Sequence, residues 1–330
     1  MNAMKLFPLV GALIFLPACG RGCGQGAREA APAPAAAKVA SGAPTPPAEA
    51  PQAVRLVALP FSAYTTTLAI DGEWVDVFTR NALHRVAPGQ PPKKVDLDLG
   101  NGPVLAESGI IYWSKGAIWR AARDGASVAW LAALPIPPEY FVASSGGIAW
   151  LDRAEDGRFR IQTLVGHTPK VLLGEPDELS SVHMVHDGVF FVRRAKDNSW
   201  RIGRVSIAGG SPEYSSARSG PTPSMLTGRE GVIYYDLDKS EIRELTTDLK
   251  SESVWQRDFV CSPIFEAGNL FCARVEGLFE IMATSHLPKP LPLPYTRRQT
   301  ITYLKADAKR VVWIVDAGPD QLAVDMLPLE

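Results

Sequence analysis

The sequence predicts an all-β fold, a seven-bladed β-propeller standing behind a disordered Ala/Pro-rich tether. Three observations carry that prediction. After residue 53, a glycine followed by a short apolar-aromatic run recurs about every forty residues. Between the glycines lie runs of four to eight residues rich in Val, Ile, Trp, Tyr and Phe, the composition of strands. Before residue 54 no such pattern exists.

Composition sets the outer limits. The 330 residues hold 34 basic against 35 acidic side chains, so no global field draws the chain to nucleic acid. Gly and Pro number 28 each, which fits a globular chain with many turns. Four cysteines are too few to scaffold a domain of this size.

Residues 1–18 read as a signal peptide. Lys5 gives a thin positive start, and Leu6 to Phe15 is an apolar run too short to span a bilayer stably. The run ends in Leu16-Pro17-Ala18-Cys19-Gly20, which resembles the lipobox of bacterial lipoproteins: a branched residue three before a cysteine and a small residue just before it. The resemblance implies that the Cys19 thiol receives a diacylglyceryl group, that the chain is cut before Cys19, and that the new amine is acylated. Pro17 departs from the small or hydroxyl residue usual at its place. Two or three acyl chains anchor a protein effectively for good. Gly20 rather than Asp after the cysteine implies, by the family's sorting habit, the outer membrane facing the periplasm. An ordinary secretory signal with an incidental cysteine is the alternative. Cys23 sits in a glycine run with no strand before it and no helix after it, so a phosphate loop is not read there.

Residues 19–53 are the lipidated cysteine and its tether. Ala30 to Ala53 holds eleven alanines and six prolines and no aromatic residue, so nothing there repays the entropy of ordering. At about 3.1 Å per residue, the thirty-odd residues of the whole tether reach roughly 100 Å when fully extended.

Residues 54–330 are the propeller. Gly72, Gly109, Gly147, Gly188, Gly231 and Gly268 are spaced by 37, 38, 41, 43 and 37, and a further 41 reaches Lys309 before Arg310-Val311-Val312-Trp313. Seven units near forty residues match the period of four-stranded blades; counts of six or eight stay open because the end units are the least regular. The third and fourth units align without a gap, Arg153, Ala154, Asp156 and Arg160 recurring as Arg194, Ala195, Asp197 and Arg201. Asp124-Gly125 and Gly209-Gly210 mark third-to-fourth strand turns. Ala117 to Leu134 could be written as an amphipathic helix, but the repeat register makes it two strands. The last unit has only three strands, and Arg55-Leu56-Val57-Ala58-Leu59 is otherwise an orphan. It is expected to supply the missing strand, closing the ring and leaving only short edges. Leu287 to Pro294 has proline at alternate positions, which removes donors from one strand edge and suits the outermost strand of the sixth blade.

The pattern resembles bacterial periplasmic propellers of the TolB-like and YWTD-like type. Tyr112-Trp113-Ser114-Lys115 is similar to the YWTD tetrapeptide, with Lys115 departing at the acidic place. The resemblance extends over residues 54–330 and implies architecture, since propellers share blades without sharing chemistry.

For chemistry the chain offers little. His183 and His186 form H-x-x-H, but on a strand an offset of three puts them on opposite faces, so no shared metal is expected. No nucleophile elbow, P-loop or dinucleotide fingerprint occurs in residues 54–330. No catalytic residue, metal or cofactor is assigned. Arg153, Arg158, Arg193, Arg194 and Lys196 fall in second-to-third strand turns of neighbouring blades, beside Asp156 and Asp197. Those turns, with Glu139 and Tyr140 from an interblade loop, are the expected partner face. In the sixth blade, pairing Phe265 with Gly268 sets Cys261 opposite Cys272. A turn centred on Ala267-Gly268 instead leaves the two thiols diagonal. Either a disulfide, worth at most ~3 kcal/mol for so short a loop, or two buried reduced thiols follows.

Two functions remain. One is a membrane-anchored envelope lipoprotein whose propeller binds an envelope protein or wall component without catalysis. The other is a propeller hydrolase or lyase acting on a periplasmic small molecule, which would gather carboxylates or histidines at one channel mouth.

Overall fold

The computed structural model describes residues 52–329, apart from 61–64, 80, 100, 107–108, 229–230, 258–261, 267–268, 275–276, 283–286, 292–300 and 319–320. The described residues form seven four-stranded antiparallel sheets and no helix.

Strand β1 (Val54–Pro60) opens the fold. The first blade is β2 (Thr65–Asp71), β3 (Trp74–Thr79), β4 (Ala82–Val86) and β5 (Lys93–Asp96). The second is β6 (Asn101–Ala106), β7 (Gly109–Ser114), β8 (Ala117–Ala121) and β9 (Val128–Ala133). The third is β10 (Tyr140–Ser144), β11 (Gly147–Arg153), β12 (Phe159–Val165) and β13 (Thr168–Glu175). The fourth is β14 (Glu178–Val185), β15 (Gly188–Arg194), β16 (Trp200–Ser206) and β17 (Glu213–Tyr214). The fifth is β18 (Met225–Thr227), β19 (Gly231–Asp236), β20 (Glu241–Thr246) and β21 (Glu252–Arg257). The sixth is β22 (Ser262–Glu266), β23 (Asn269–Arg274), β24 (Gly277–Ile281) and β25 (Pro288–Leu291). The seventh is β26 (Ile301–Ala306), β27 (Arg310–Gly318) and β28 (Gln321–Pro328), completed by β1.

Gly109, Gly147, Gly188 and Gly231 begin the second strands of their blades, and Gly72 lies two residues before its own. Gly109 and Gly231 show why. A Cβ on either would collide with a carbonyl oxygen of the third strand, that of Ala121 or of Leu245, and Gly109 also has a φ of 126°. The Ala-rich stretch after Ala117 forms β8 and β9, broken at Gly125 with a φ of 75°.

The first strands pack in order around the ring: β2 on β6, β6 on β10, β10 on β14, β14 on β18, β18 on β22, β22 on β26 and β26 on β2. They line a central channel. Strand residues alternate between two sheet faces, and in this ring both faces meet a neighbouring blade. Ile110 packs with Phe78 and Leu83 of the first blade, while Ile111 packs with Phe141 and Trp150 of the third. Among the described residues such apolar cores fill all seven gaps between blades. Burial on both faces is why the second strands read as unbroken apolar runs.

The ring closes as the sequence predicts. Val57 pairs with Val324 and Leu59 with Leu322, with a bulge at Leu56. In the sixth blade the first hairpin takes the diagonal register: Glu266 pairs with Asn269, and Cys272 lies opposite Pro263. The register that would set Cys272 opposite position 261 is therefore not the one observed. Cys261 itself lies outside the described residues. Pro288 and Pro290 sit on the outermost strand β25, opposite Ile281 and Phe279.

Candidate functional site

Antiparallel strands place all first-to-second turns at one end of the ring and all second-to-third turns at the other. The chain enters and leaves at the first end. Val54 pairs with Met326, and Leu329 donates its N–H to the carbonyl of Lys309 in the turn between β26 and β27. The residues expected to form a partner face lie at the opposite end.

On that rim, the turn between β11 and β12 is pinned by Asp156 Oδ1 accepting the Arg158 N–H at 3.0 Å. Its repeat in the fourth blade is pinned by Asp197 Oδ1 accepting the Ser199 N–H at 2.8 Å. The Ser199 hydroxyl, which donates to the same oxygen at 2.7 Å, and the Ser199 N–H hold the Asp197 carboxyl below its usual range. Most of the rim cations have partners. Arg153 meets Glu139 at 3.6 Å and lies over the Phe159 ring; Arg158 meets Asp156 at 3.6 Å. Arg193 reaches back to the third blade, to Glu175 at 3.4 Å and to Asp177, in the loop after it, at 2.9 Å. Arg194 donates to Asn198 Oδ1 at 2.9 Å. Lys196 and Tyr140 are exposed. The rim is therefore a mosaic of both charge signs around an aromatic side chain. Arg193 also covers the Tyr214 ring, whose hydroxyl donates to Glu175; burial first and Glu175 second push that phenol up to about 12.

The other end holds a cavity of about 1180 Å³. Among the described residues, six of the first strands contribute to its wall, through Thr67, Val104, Val142, His183, Thr227 and Lys305 among others. Val104, His183, Thr227 and Lys305 stand in the second half of their strands or at the end, and Gly72, Glu73 and Asp307 come from first-to-second turns, so the cavity reaches the turn end of the channel. At its mouth Arg310 binds Asp307 at 3.3 Å and the Glu73 carbonyl oxygen at 2.9 Å. A further Arg310 bond, to the Gly72 carbonyl, ties the seventh blade to the first.

His183, on the fourth blade, is pushed down to about 4, first by burial and then by the positive charge of Lys305 on the seventh blade. A backbone hydrogen bond with Met225 opposes both. An imidazole held that low is neutral at pH 7 and a weak general base. His186 sits apart in the following turn with a φ of 54°, exposed, so the two do not share a ligand. Among the described residues no three His, Cys, Asp or Glu side chains gather to hold a metal ion.

Cys19 lies outside the described residues. Cys272 is fully buried on β23 and disulfide-bonded. No described helix is long and apolar enough to cross a membrane.

No protein-family model and no curated protein matches the sequence. Solved structures do. The Neurospora crassa Pan2 WD40 domain superposes with a TM-score of 0.58 at 8% identity, covering 86% of this chain and 98% of that one. The AfRom2 CNH domain gives 0.56 at 8% identity, covering 84% and 99%. A Mycobacterium tuberculosis puromycin-hydrolyzing peptidase gives 0.57 at 14% identity over 80% of this chain, which spans about half of that protein. The shared feature is the fold. This chain is a seven-bladed β-propeller.

Sequence reasoning missed the channel pair. His183 was legible as a strand histidine that shares no metal with His186, but Lys305 carried no signal, since only ring closure brings the fourth and seventh blades to one cavity.

Proposed function

We propose that this chain is a lipid-anchored lipoprotein of the cell envelope whose propeller binds an envelope protein or wall component without catalysis. The lipobox at Cys19 supports the anchor, and the outer membrane is its expected place. One observation carries the binding reading. The rim away from the chain ends displays charged side chains on turns fixed by Asp156 and Asp197, beside the exposed Tyr140 at the start of β10. A surface already fixed in its bound shape loses little entropy on association, and an exposed tyrosine is a frequent anchor of such contacts. The channel offers a neutral histidine and a lysine, which favours holding a ligand over proton transfer.

The test has two arms. Cys19→Ala should move the protein from the membrane fraction to the soluble one, and labelled palmitate should enter only the wild type. Charge reversal at Arg153, Arg193 and Lys196 should abolish recovery of a cross-linked envelope partner while leaving the thermal transition cooperative. A membrane-bound Cys19→Ala protein contradicts the anchor. Unchanged cross-linking by the reversed rim contradicts the binding face.

A further inference from the structure

We propose that the fourth-blade part of the rim seats an acidic protein segment, with Arg194, Lys196 and Arg201 receiving its carboxylates. This rests on the rim being the partner face and names the chemistry of the partner.

The third and fourth blades repeat one hairpin, and both lie wholly within the described residues. Their second-to-third turns close alike. Ala154 donates its N–H to the Arg158 carbonyl at 2.8 Å, as Ala195 does to that of Ser199. Gly157 has a φ of 83° and its counterpart Asn198 one of 64°. Asp156 and Asp197 accept from the backbone in the same way.

The charges on this shared backbone differ. In the third blade Arg160 binds Asp152 at 2.9 Å, and Arg153 and Arg158 each meet a carboxylate. In the fourth blade Arg193 stands in the place of Asp152, and Lys196 in the place of Glu155. Arg201, the counterpart of Arg160, therefore lies across the ladder from Arg193, a like charge. Arg193 is itself taken by Glu175 and Asp177. Arg194, Lys196 and Arg201 form no ion pair among the described residues, and the Arg194 hydrogen bond goes to the neutral Asn198. Two carboxylates stand near. Asp197 is held by Ser199, with Arg201 close rather than bonded. Glu178 is the ladder partner of Arg194 without forming an ion pair with it.

The third blade builds the same turn with its arginines paired, so the turn itself does not require unpaired cations. Like charges set across a ladder cost stability. Carboxylates supplied by a partner offset that cost. The three cations stand at the end of β15, in the turn and near the start of β16, spread along the hairpin rather than converging on one point as a single phosphate group needs. Glu139, Glu155 and Glu178 are exposed around them and would repel a uniform polyanion. A protein segment can set its carboxylates over the hairpin and its apolar side chains beside Tyr140 and Leu237, the latter exposed in the fifth-blade turn at the same end.

Fluorescence polarisation of the full chain with labelled twelve-residue peptides tests this, using repeats of Glu-Leu-Gly, Gln-Leu-Gly and Lys-Leu-Gly. The Glu peptide should bind about tenfold more tightly than the Gln peptide, with the Lys peptide weakest, and added NaCl should shrink the preference. Lys196→Glu combined with Arg201→Gln should bring the Glu peptide to the affinity of the Gln peptide, while Lys289→Gln on the sixth blade should leave the ranking intact. Equal affinities for the Glu and Gln peptides, tighter binding of the Lys peptide, or no binding of any of the three would overturn the proposal. So would inorganic polyphosphate binding more tightly than the Glu peptide, or a preference that survives the double substitution. Should that variant not fold, the ranking on the wild type decides alone. Cross-linking in cells tests the rim itself, so an adduct at Tyr140 without a preference for the Glu peptide sinks this inference and leaves the rim reading standing.

Discussion

Arg55 and Asp325, 270 positions apart, form an ion pair across the ring closure, Nε to Oδ1 at 2.9 Å and Nη2 to Oδ2 at 3.2 Å. The carboxylate is buried and the guanidinium half exposed. The first strand of the fold is thus tied to the last by side chains as well as by the ladder.

Arg55→Ala should therefore cost more than its exposure implies. It removes a two-bond partner from a buried carboxylate, whereas a lost surface pair contributes at most about 1 kcal/mol. The expected loss is about 1–3 kcal/mol in urea unfolding, with the cooperative transition retained. No change beyond about 0.5 kcal/mol would show that Asp325 is solvated in another way.

Acid should act through His183. Its folded pKa of about 4 lies below the ordinary 6.5, so the unfolded chain takes up the proton first. Its stabilising contribution is full above pH 6.5, falls as the pH drops, and is gone below about 4. The wild type should lose about 2–3 kcal/mol more than His183→Asn between pH 7 and 4. Parallel acid profiles for the two proteins would contradict the placement of His183 in the channel wall.

Glycine substitutions should separate close approach from backbone conformation alone. Gly109→Ala meets the Ala121 carbonyl oxygen and needs a φ of 126°, so a loss of about 2 kcal/mol or more is expected. Gly72→Ala has a positive φ in open space and should cost about 1 kcal/mol; Gly174→Ala has neither problem and should lie within about 0.5 kcal/mol of the wild type. Thermal denaturation of the three variants reads the order directly.

Cys272 is disulfide-bonded, and the sequence makes Cys261 its expected partner. Thiol labelling of the denatured, unreduced protein should leave Cys272 unmodified, and Cys261→Ser should expose it to the label. A Cys272 that stays protected in Cys261→Ser would assign the bond to another cysteine.

The repeat made the blades legible because the second strands bury both faces and, at Gly109 and Gly231, begin where a Cβ does not fit. Gly109 and Trp150 are therefore visible in the sequence. Closure was legible from the orphaned strand around Val57 and the three-strand last unit. The register near Cys272 was not fixed beforehand, because either of two turns satisfies the apolar alternation of Phe265 and Leu270. The rim was legible as positions but not as pairings. Arg193 binds Glu175 and Asp177 of the preceding blade, and no local spacing reports a contact across blades. The channel site was hidden for the same reason: His183 and Lys305 meet only through the closed ring.

The binding reading is tested most directly by a photo-crosslinking residue placed at Tyr140 in growing cells. If the rim is the partner face, Tyr140 yields one discrete high-mass adduct with an envelope component, and the same probe at Lys289 on the outer edge of the sixth blade yields none. A membrane-bound protein that gives no adduct at Tyr140, or gives the same adducts at both positions, would contradict it.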